Sequence, residues 1–247
     1  MKGLKIIGII PARLESSRLS KKLLLEINKK TLIQRVYENS SNLKLFHEIY
    51  IATDSKEIED TCYHFNANVI KTSNHHTSGT SRIAEAIKDI SADIIVNIQG
   101  DEPFIIKNQI KSLIDSLIKS KFAEIATLYY PCSDYQLSKD PNIVKTVKDL
   151  NSYALYFSRN PIPFRRNENQ NGTWLHHLGV YAYKRKFLEQ YPFLKDCLLE
   201  QMEQLEQLRF LTNGYKILLV ETKEPTLGID TQEDFEKAKQ IIEELEG

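Results

Sequence analysis

The length and charge balance of the chain exclude several broad classes of protein. Its 247 residues, 41% of them hydrophobic, are enough for one large domain with its own core. The 33 basic and 33 acidic residues cancel, which argues against a dedicated nucleic-acid binder, because such proteins usually carry a basic excess.

The cysteines and the N-terminus indicate a cytosolic protein. Cys62, Cys132 and Cys197 are widely spaced and odd in number, which favours reduced thiols over a disulfide framework. The first apolar run stops at Pro11, which is too short for a signal peptide. No run approaches the roughly 18 apolar residues of a membrane span. We therefore expect a cytoplasmic protein without a membrane partner.

The first half of the chain alternates apolar runs with amphipathic segments. Continuous β-branched runs predict central strands at residues 4–11, 48–53, 68–72, 93–99 and 124–130. Apolar residues at three- and four-residue spacing predict crossover helices at residues 31–40, 55–65, 80–90 and 107–120. This alternation is typical of an α/β fold with a doubly wound, mostly parallel sheet.

The second half is richer in extended segments. Strands are predicted at residues 142–149, 153–159, 178–185 and 215–221, and the last helix at residues 231–246. Residues 198–214 predict one long amphipathic helix that ends at Asn213-Gly214. Because no linker interrupts the chain, we interpret residues 1–247 as a single domain, with residues 143–192 as a small β-rich subregion over the sheet.

The loop after the first predicted strand carries four cations and no glycine. Glycine-rich turns hold phosphates through backbone amides, so this loop would have to use side chains instead. Arg13, Arg18, Lys21 and Lys22, with the hydroxyl of Ser16, could surround phosphate oxygens. The alternative interpretation is a solvated basic loop.

A second unusual segment begins the helix predicted at residues 80–90. Ser78, Gly79 and Thr80 precede the helix, and Arg82 lies in its first turn. A cation there opposes the helix dipole, so we expect Arg82 to have an anionic or polar partner. Ordinary helix capping explains the hydroxyls but not Arg82.

Two carboxylates stand where ligands of open parallel sheets bind, beyond the carboxyl ends of strands. Asp101 follows the strand at residues 93–99, with Gly100 allowing close backbone approach. Facing a phosphate loop, Asp101 suits Mg²⁺; the alternative is a turn residue beside Pro103. Asp230 alone is interpreted as a helix cap, and it becomes a second metal ligand only if the fold brings it beside Asp101.

Nine segments occur in the order expected for a known family. They include "IIPARLESSRLSKKLL", "HHTSGTSRIAEA", "VNIQGDEP", "DPNIVKTV", "YALYFSRNPIP" and "GIDTQEDF". With these motifs the chain resembles the 3-deoxy-manno-octulosonate (Kdo) cytidylyltransferase family over nearly its whole length.

The resemblance implies a nucleotide-diphospho-sugar transferase-like fold and a reaction. CTP and Kdo would give CMP-Kdo and pyrophosphate for lipopolysaccharide biosynthesis, by Mg²⁺-assisted in-line attack of the sugar's anomeric hydroxyl on the CTP α-phosphate. The resemblance also implies a homodimer, with the strands at residues 153–159 and 178–185 as candidate interface. Residues 143–192 then become a candidate sugar-binding and dimerisation subregion.

The resemblance further implies residue roles. The catalytic residues would be Arg13, Lys22, Asp101 and Asp230, of which Asp101 and Asp230 would hold the metal. The nucleotide would contact Arg13, Ser16, Arg18, Lys22, Ser78, Gly79, Arg82, Gln99 and Asp101. The sugar would contact Gln99, Arg159, His177, Tyr181, Glu203, Glu206 and Gln207. Arg159 would pair with the Kdo carboxylate, and helical spacing places Glu203, Glu206 and Gln207 on one face.

One departure from the family and two alternatives remain. The family usually reads R-L-P-G-K-P-L where this chain has "RLSKKLL", so Lys21 replaces a glycine and competes with Lys22 for the phosphate. A cytidylyltransferase for a related sugar acid, such as 8-amino-Kdo or a sialic-acid-like sugar, is the first alternative. The second is an inactive nucleotide-binding protein on the same fold.

Overall fold

The computed structural model describes residues 3–15, 19–167 and 172–246. Its strands are β1 (Ile6–Ala12), β2 (Glu26–Ile27), β3 (Lys30–Thr31), β4 (Glu48–Thr53), β5 (Asn68–Lys71), β6 (Ile94–Asn97), β7 (Ile125–Cys132), β8 (Lys145–Lys148), β9 (Ala154–Ser158), β10 (Trp174–Lys184) and β11 (Ile217–Glu221). Its helices are α1 (Leu32–Asn42), α2 (Lys56–Tyr63), α3 (Gly79–Ala86), α4 (Lys107–Lys119), α5 (Arg185–Gln190), α6 (Leu198–Glu203), α7 (Gln207–Thr212) and α8 (Gln232–Glu246). Within these described ranges, no helix has both the length and the apolar character needed to cross a bilayer.

The chain forms two compact units. The first consists of Met1–Ile110 and Thr226–Gly247, and the second of Lys111–Pro225. The interpretation of residues 1–247 as one domain stays a prediction.

The first unit is built on a parallel sheet. β1 pairs in parallel with β6 and with β4, and β4 pairs in parallel with β5. Ile7 and Ile9 of β1 are fully buried, as the continuous apolar run predicts. Between them, a Cβ atom on Gly8 would lie 3.2 Å from the Ile98 side chain and 3.3 Å from that of Ile49, so the strand needs glycine to pack this closely. The predicted α/β class and parallel strands are confirmed.

The second unit has a mixed sheet. β7 pairs in parallel with β11 and antiparallel with β10, while β8 pairs antiparallel with both β10 and β9. The three strands from residues 143–192 are therefore hydrogen-bonded within this sheet. In the same unit, the ring of Phe187 on α5 packs against those of Phe210 and Tyr215, with ring centroids 5.1 and 4.9 Å away.

The predicted long helix at residues 198–214 is wrong. The segment forms two short helices, α6 and α7, because Gln204 adopts a left-handed conformation with φ of 52°. The Arg159 side chain donates hydrogen bonds to the carbonyl oxygens of Glu203 (2.7 Å) and Gln204 (3.3 Å), which gives these groups partners outside a helix. The predicted stop is confirmed, since Gly214 has φ of 85°. The hairpin of β2 and β3 and the helix α5 were not predicted.

Candidate active site

A cavity of about 250 Å³ in the first unit collects most of the predicted catalytic and nucleotide-binding residues. Its lining includes residues at or just after the ends of β1 and β6, where ligands of parallel sheets bind. The predicted residues that line it are Arg13, Lys22, Ser78, Gly79, Arg82, Gln99, Asp101 and Asp230. Ser16 and Arg18 lie outside the described residues. The fold brings these side chains together, while the role of each stays a prediction.

The ammonium group of Lys22 connects the two predicted metal-binding carboxylates. Lys22 begins a 3₁₀ turn, is only 8% exposed, and places its Nζ 2.5 Å from Asp101 Oδ2. The same Nζ lies 3.0 Å from Asp230 Oδ1. The condition stated for a two-carboxylate site is thus met, because the fold gathers Asp101 and Asp230 around one cation.

Lys21 points away from this cavity. Its Nζ donates to both carboxylate oxygens of Glu57 on α2, at 2.8 Å each. Its backbone is left-handed, with φ of 48°, a conformation that glycine adopts with less strain. This explains why a glycine suits the position in the family pattern. Of the two candidate lysines, Lys22 is the one that lines the cavity.

The interpretation of Asp230 as a helix cap is wrong. Thr231 caps α8, since its Oγ1 accepts a hydrogen bond from the Asp234 N–H at 3.2 Å. Asp234 Oδ2 in return accepts from the Thr231 N–H at 3.0 Å, which is the predicted capping box. Because Thr231 satisfies the helix end, the Asp230 carboxylate can reach Lys22 instead.

Arg82 has the anionic partner that the sequence led us to expect. It is 4% exposed, and its Nη1 lies 2.8 Å from Asp54 Oδ1 and 2.7 Å from Thr72 Oγ1. Ser78 caps α3 and forms a capping box with Ser81, with hydrogen bonds of 3.1 and 3.4 Å. Sequence reasoning missed Asp54, although it directly follows a predicted strand in the same way as Asp101.

Glu102 is a second residue that sequence reasoning missed. It is 8% exposed, and among the described residues its Oε2 has no hydrogen-bond partner. Burial and, to a smaller extent, the negative charges of Asp101 and Asp230 raise the pKa of the Glu102 carboxyl to about 8. Glu102 is therefore mostly protonated at neutral pH, and the two carboxylates that face Lys22 are those of Asp101 and Asp230.

The predicted sugar-binding residues of the second unit are arranged differently from the sequence expectation. Glu203, Glu206 and Gln207 do not share one helical face, because the chain turns at Gln204 between α6 and α7. Glu203 Oε2 accepts from the Arg159 backbone N–H at 2.8 Å, so these two predicted residues are in contact.

The remaining residues of that set are mostly buried. Glu206 Oε1 accepts from the Tyr191 hydroxyl at 2.6 Å. His177 contacts Thr127 Oγ1 through Nε2 at 3.0 Å, and its ring lies 5.5 Å from that of Tyr181. Burial lowers the pKa of His177 to about 3, so its imidazole is neutral at physiological pH. His177 can therefore hydrogen-bond a hydroxyl but brings no charge.

Known proteins share both the sequence and the fold. Residues 7–217 match the family model described as cytidylyltransferase. A 3-deoxy-manno-octulosonate cytidylyltransferase of Fusobacterium nucleatum is 43% identical over 242 residues, which are 98% of this chain and 98% of that protein. This chain belongs to the 3-deoxy-manno-octulosonate cytidylyltransferase family. The resemblance drawn from the nine motifs is therefore confirmed, and so is the nucleotidyltransferase class.

Further members of the family agree with this assignment. The 3-deoxy-manno-octulosonate cytidylyltransferase of Christiangramia forsetii is 41% identical over 240 residues, 96% of this chain and 97% of that protein. A solved structure of CMP:2-keto-3-deoxy-manno-octonic acid synthetase complexed with CTP superimposes with a TM-score of 0.91 at 38% identity, covering 97% of this chain and 99% of that one. HddC from Yersinia pseudotuberculosis, at 19% identity and a TM-score of 0.72, shares the fold alone.

Replacing Glu102 should change the pH dependence of stability. The folded pKa of about 8 exceeds the ordinary value of 4.5, so Glu102 binds more proton in the folded state and its contribution to stability is lost as pH rises from 4.5 to 8. Glu102→Gln removes this loss. In urea unfolding with EDTA present, the variant should equal the parent near pH 4.5 and exceed it at pH 8.

Exposed Glu244 of α8 is the matched control. Glu244→Gln should track the parent at every pH. A Glu102→Gln variant that is less stable than the parent at pH 8 would contradict the assignment of a costly buried carboxylate.

Proposed function

We propose that the protein transfers CMP from CTP to the anomeric hydroxyl of Kdo and releases pyrophosphate. The observation that carries this proposal is the Lys22 ammonium group between Asp101 and Asp230, in a cavity that Arg13 also lines. Membership of the cytidylyltransferase family supports it.

The chain's own cations account for much of the phosphate chemistry. Nucleotidyl transfer depends mainly on positioning and on neutralising phosphate charge as the leaving group departs. Arg13 and Lys22 would bind phosphate oxygens and stabilise the departing pyrophosphate. Arg82 is held by Asp54 and Thr72, so its guanidinium has a fixed orientation at the cavity wall.

We also propose that Asp101 and Asp230 hold Mg²⁺. Among the described residues, no three His, Cys, Asp or Glu side chains gather into a ready-made metal site. This fits Mg²⁺, which commonly takes one or two carboxylates and completes its shell with water and substrate phosphates. Mg²⁺ would neutralise phosphate charge when bound.

For the sugar acid, we propose recognition by the second unit. Arg159 would pair with the carboxylate of Kdo, and neutral His177 would hydrogen-bond a sugar hydroxyl. The neutral state of His177 follows from its lowered pKa. The protonation state of His177 should therefore not alter its hydrogen bond to a sugar hydroxyl between pH 5 and 9.

The assembly and setting of the enzyme are part of the proposal. We propose a homodimer that acts in the cytoplasm in lipopolysaccharide biosynthesis. Of the two candidate interface strands, β10 is mostly buried within its own chain, whereas β9 leaves Leu155 62% exposed. Of the two candidate strands, β9 therefore has the apolar side chain that a second copy could cover.

The reaction itself is tested by pyrophosphate release with CTP, Mg²⁺ and a panel of sugar acids. We expect turnover with Kdo and a loss of about 10²-fold or more in kcat for Asp101→Asn, by analogy with removing a key electrostatic stabiliser. Exposed Asp89 of the same unit supplies the control, and Asp89→Asn should behave as the parent. Preferred turnover of 8-amino-Kdo or a sialic-acid-like sugar would instead support a cytidylyltransferase for that sugar acid. No turnover with any acid would support an inactive nucleotide-binding protein.

Lys22 and divalent cations should compete for the same carboxylates. Lys22→Met removes the ammonium group from Asp101 and Asp230, so Mn²⁺ should bind more tightly without nucleotide, while CTP should bind more weakly. Electron paramagnetic resonance of Mn²⁺ and calorimetry of CTP binding measure the two effects. Lys21→Met is the matched control and should change neither. If Lys21→Met alone weakened CTP binding, the assignment of Lys22 would be wrong by one residue.

Leu155 tests the dimer. Sedimentation equilibrium at micromolar concentration should give twice the chain mass for the parent, and Leu155→Glu should shift the population toward monomer because it would bury a charge. Leu150→Glu, at a fully exposed leucine of the same unit, is the control and should leave the dimer intact. A parent that sediments as a monomer would rule out the homodimer.

A further inference from the structure

Lys145 of β8 is a fully buried lysine. Lysine is almost never buried without a partner, because an ammonium group loses its hydration there. Lys145 Nζ donates to the carbonyl oxygens of Ile143 at 2.6 Å and Asp140 at 3.1 Å, and also to that of Arg159. These three bonds use all three ammonium donors. The buried charge is therefore compensated by backbone dipoles.

The three carbonyls belong to two segments that frame the β8–β9 pair. Asp140 and Ile143 precede β8, and Arg159 directly follows β9, whose last residue, Ser158, pairs with Lys145 itself. Lys145 thus ties the segment before β8 to the backbone of Arg159. Without its ammonium group, three carbonyl oxygens would lose their shared donor, and the two segments would lose this connection.

Arg159 contacts the same segment with its side chain. Its Nη1 donates to the Pro141 carbonyl oxygen at 2.8 Å, and its Nε donates to that of Glu203 at 2.7 Å. A shift of the segment at residues 140–143 would therefore move one of the groups that orient the Arg159 guanidinium. Lys145 therefore acts on Arg159 in two ways. It donates to the Arg159 carbonyl oxygen, and it also bonds the segment at residues 140–143, whose Pro141 carbonyl accepts from the Arg159 side chain.

Acidic side chains near this cluster balance its two cations. The carboxylate of Glu203 accepts from the Ser158 hydroxyl at 2.7 Å and from the Arg159 backbone N–H at 2.8 Å. Burial lowers the pKa of the Lys145 ammonium group, the charges of Asp140 and Glu203 raise it, and that of Arg159 lowers it. Lys145 therefore acts on Arg159 through its hydrogen bonds to carbonyl oxygens, not through an excess of positive charge.

We propose that Lys145 is a positioning residue for sugar-acid recognition. Its buried ammonium group fixes the orientation of Arg159 toward the substrate carboxylate. The inference rests on the proposed function, in which Arg159 binds the carboxylate of Kdo. It requires that loss of the ammonium group weaken Kdo binding and leave CTP binding unchanged.

Steady-state kinetics with Kdo and CTP varied separately test this. Lys145→Gln should raise the KM for Kdo by about 10- to 100-fold, because a misplaced positioning group costs on that order, while the KM for CTP stays as in the parent. The matched control is Lys148→Met on the same strand, whose ammonium group contacts the Tyr129 hydroxyl at 2.6 Å. It removes the same charge without touching Arg159, and both KM values should match the parent.

A double-mutant cycle separates action through Arg159 from a general structural role. Arg159→Met should raise the KM for Kdo, and adding Lys145→Gln should raise it no further, because the lysine acts through the arginine. Additive effects would overturn the proposal. So would an equal loss for Kdo and CTP accompanied by a lower melting temperature, which would make Lys145 a purely structural residue.

Two outcomes keep this test apart from that of the proposed function. If the parent does not turn over Kdo, the proposed function fails. If the parent is active and Lys145→Gln keeps its KM for Kdo, only the positioning role fails. If Lys145→Gln does not fold, Lys145→Arg replaces it in the test. The planar donors of arginine cannot reproduce the geometry of the ammonium group. A raised KM for Kdo with an unchanged KM for CTP then supports the proposal, and unchanged kinetics overturn it.

Discussion

The ammonium group of Lys22 lies between the carboxylates of Asp101 and Asp230, and the candidate active site depends on this contact. It joins three segments that are far apart in the chain, the loop after β1, the loop after β6 and the start of α8. One cation faces two carboxylates, and the buried Glu102 lies close enough for both to raise its pKa.

The two units hold a buried lysine in different ways. In the first unit, the Lys22 ammonium group faces the carboxylates of Asp101 and Asp230 at the wall of a cavity. In the second, the Lys145 ammonium group donates to three backbone carbonyl oxygens. The first arrangement leaves charged groups beside a cavity, whereas the second ties two backbone segments together.

The opening loop makes its turn without glycine. The left-handed backbone at Lys21 is retained without glycine, at the expense of some strain, and the Lys21 side chain pairs with Glu57. Such an exposed ion pair contributes little to stability, about 0–1 kcal/mol. The essential result of the turn is geometric, because it directs Lys21 outward and the next residue, Lys22, into the cavity.

The sequence by itself determined the alternation of the main strands and helices in the first half, the parallel α/β class and the family, because these depend on local periodicity and on motifs of adjacent residues. It also indicated Asp101, since a carboxylate directly after a buried strand lies at the ligand-binding edge of a parallel sheet. Only the tertiary structure decided that Asp230 contacts Lys22 and does not cap α8, because its place before a helix allows both until the loop after β1 is positioned. The same holds for the interruption at Gln204, whose carbonyl oxygen accepts a hydrogen bond from the distant Arg159 side chain. It also holds for the buried Lys145, which bonds the Arg159 carbonyl oxygen. Contacts between residues far apart in the chain leave no periodic signal, so the sequence alone could not reveal them.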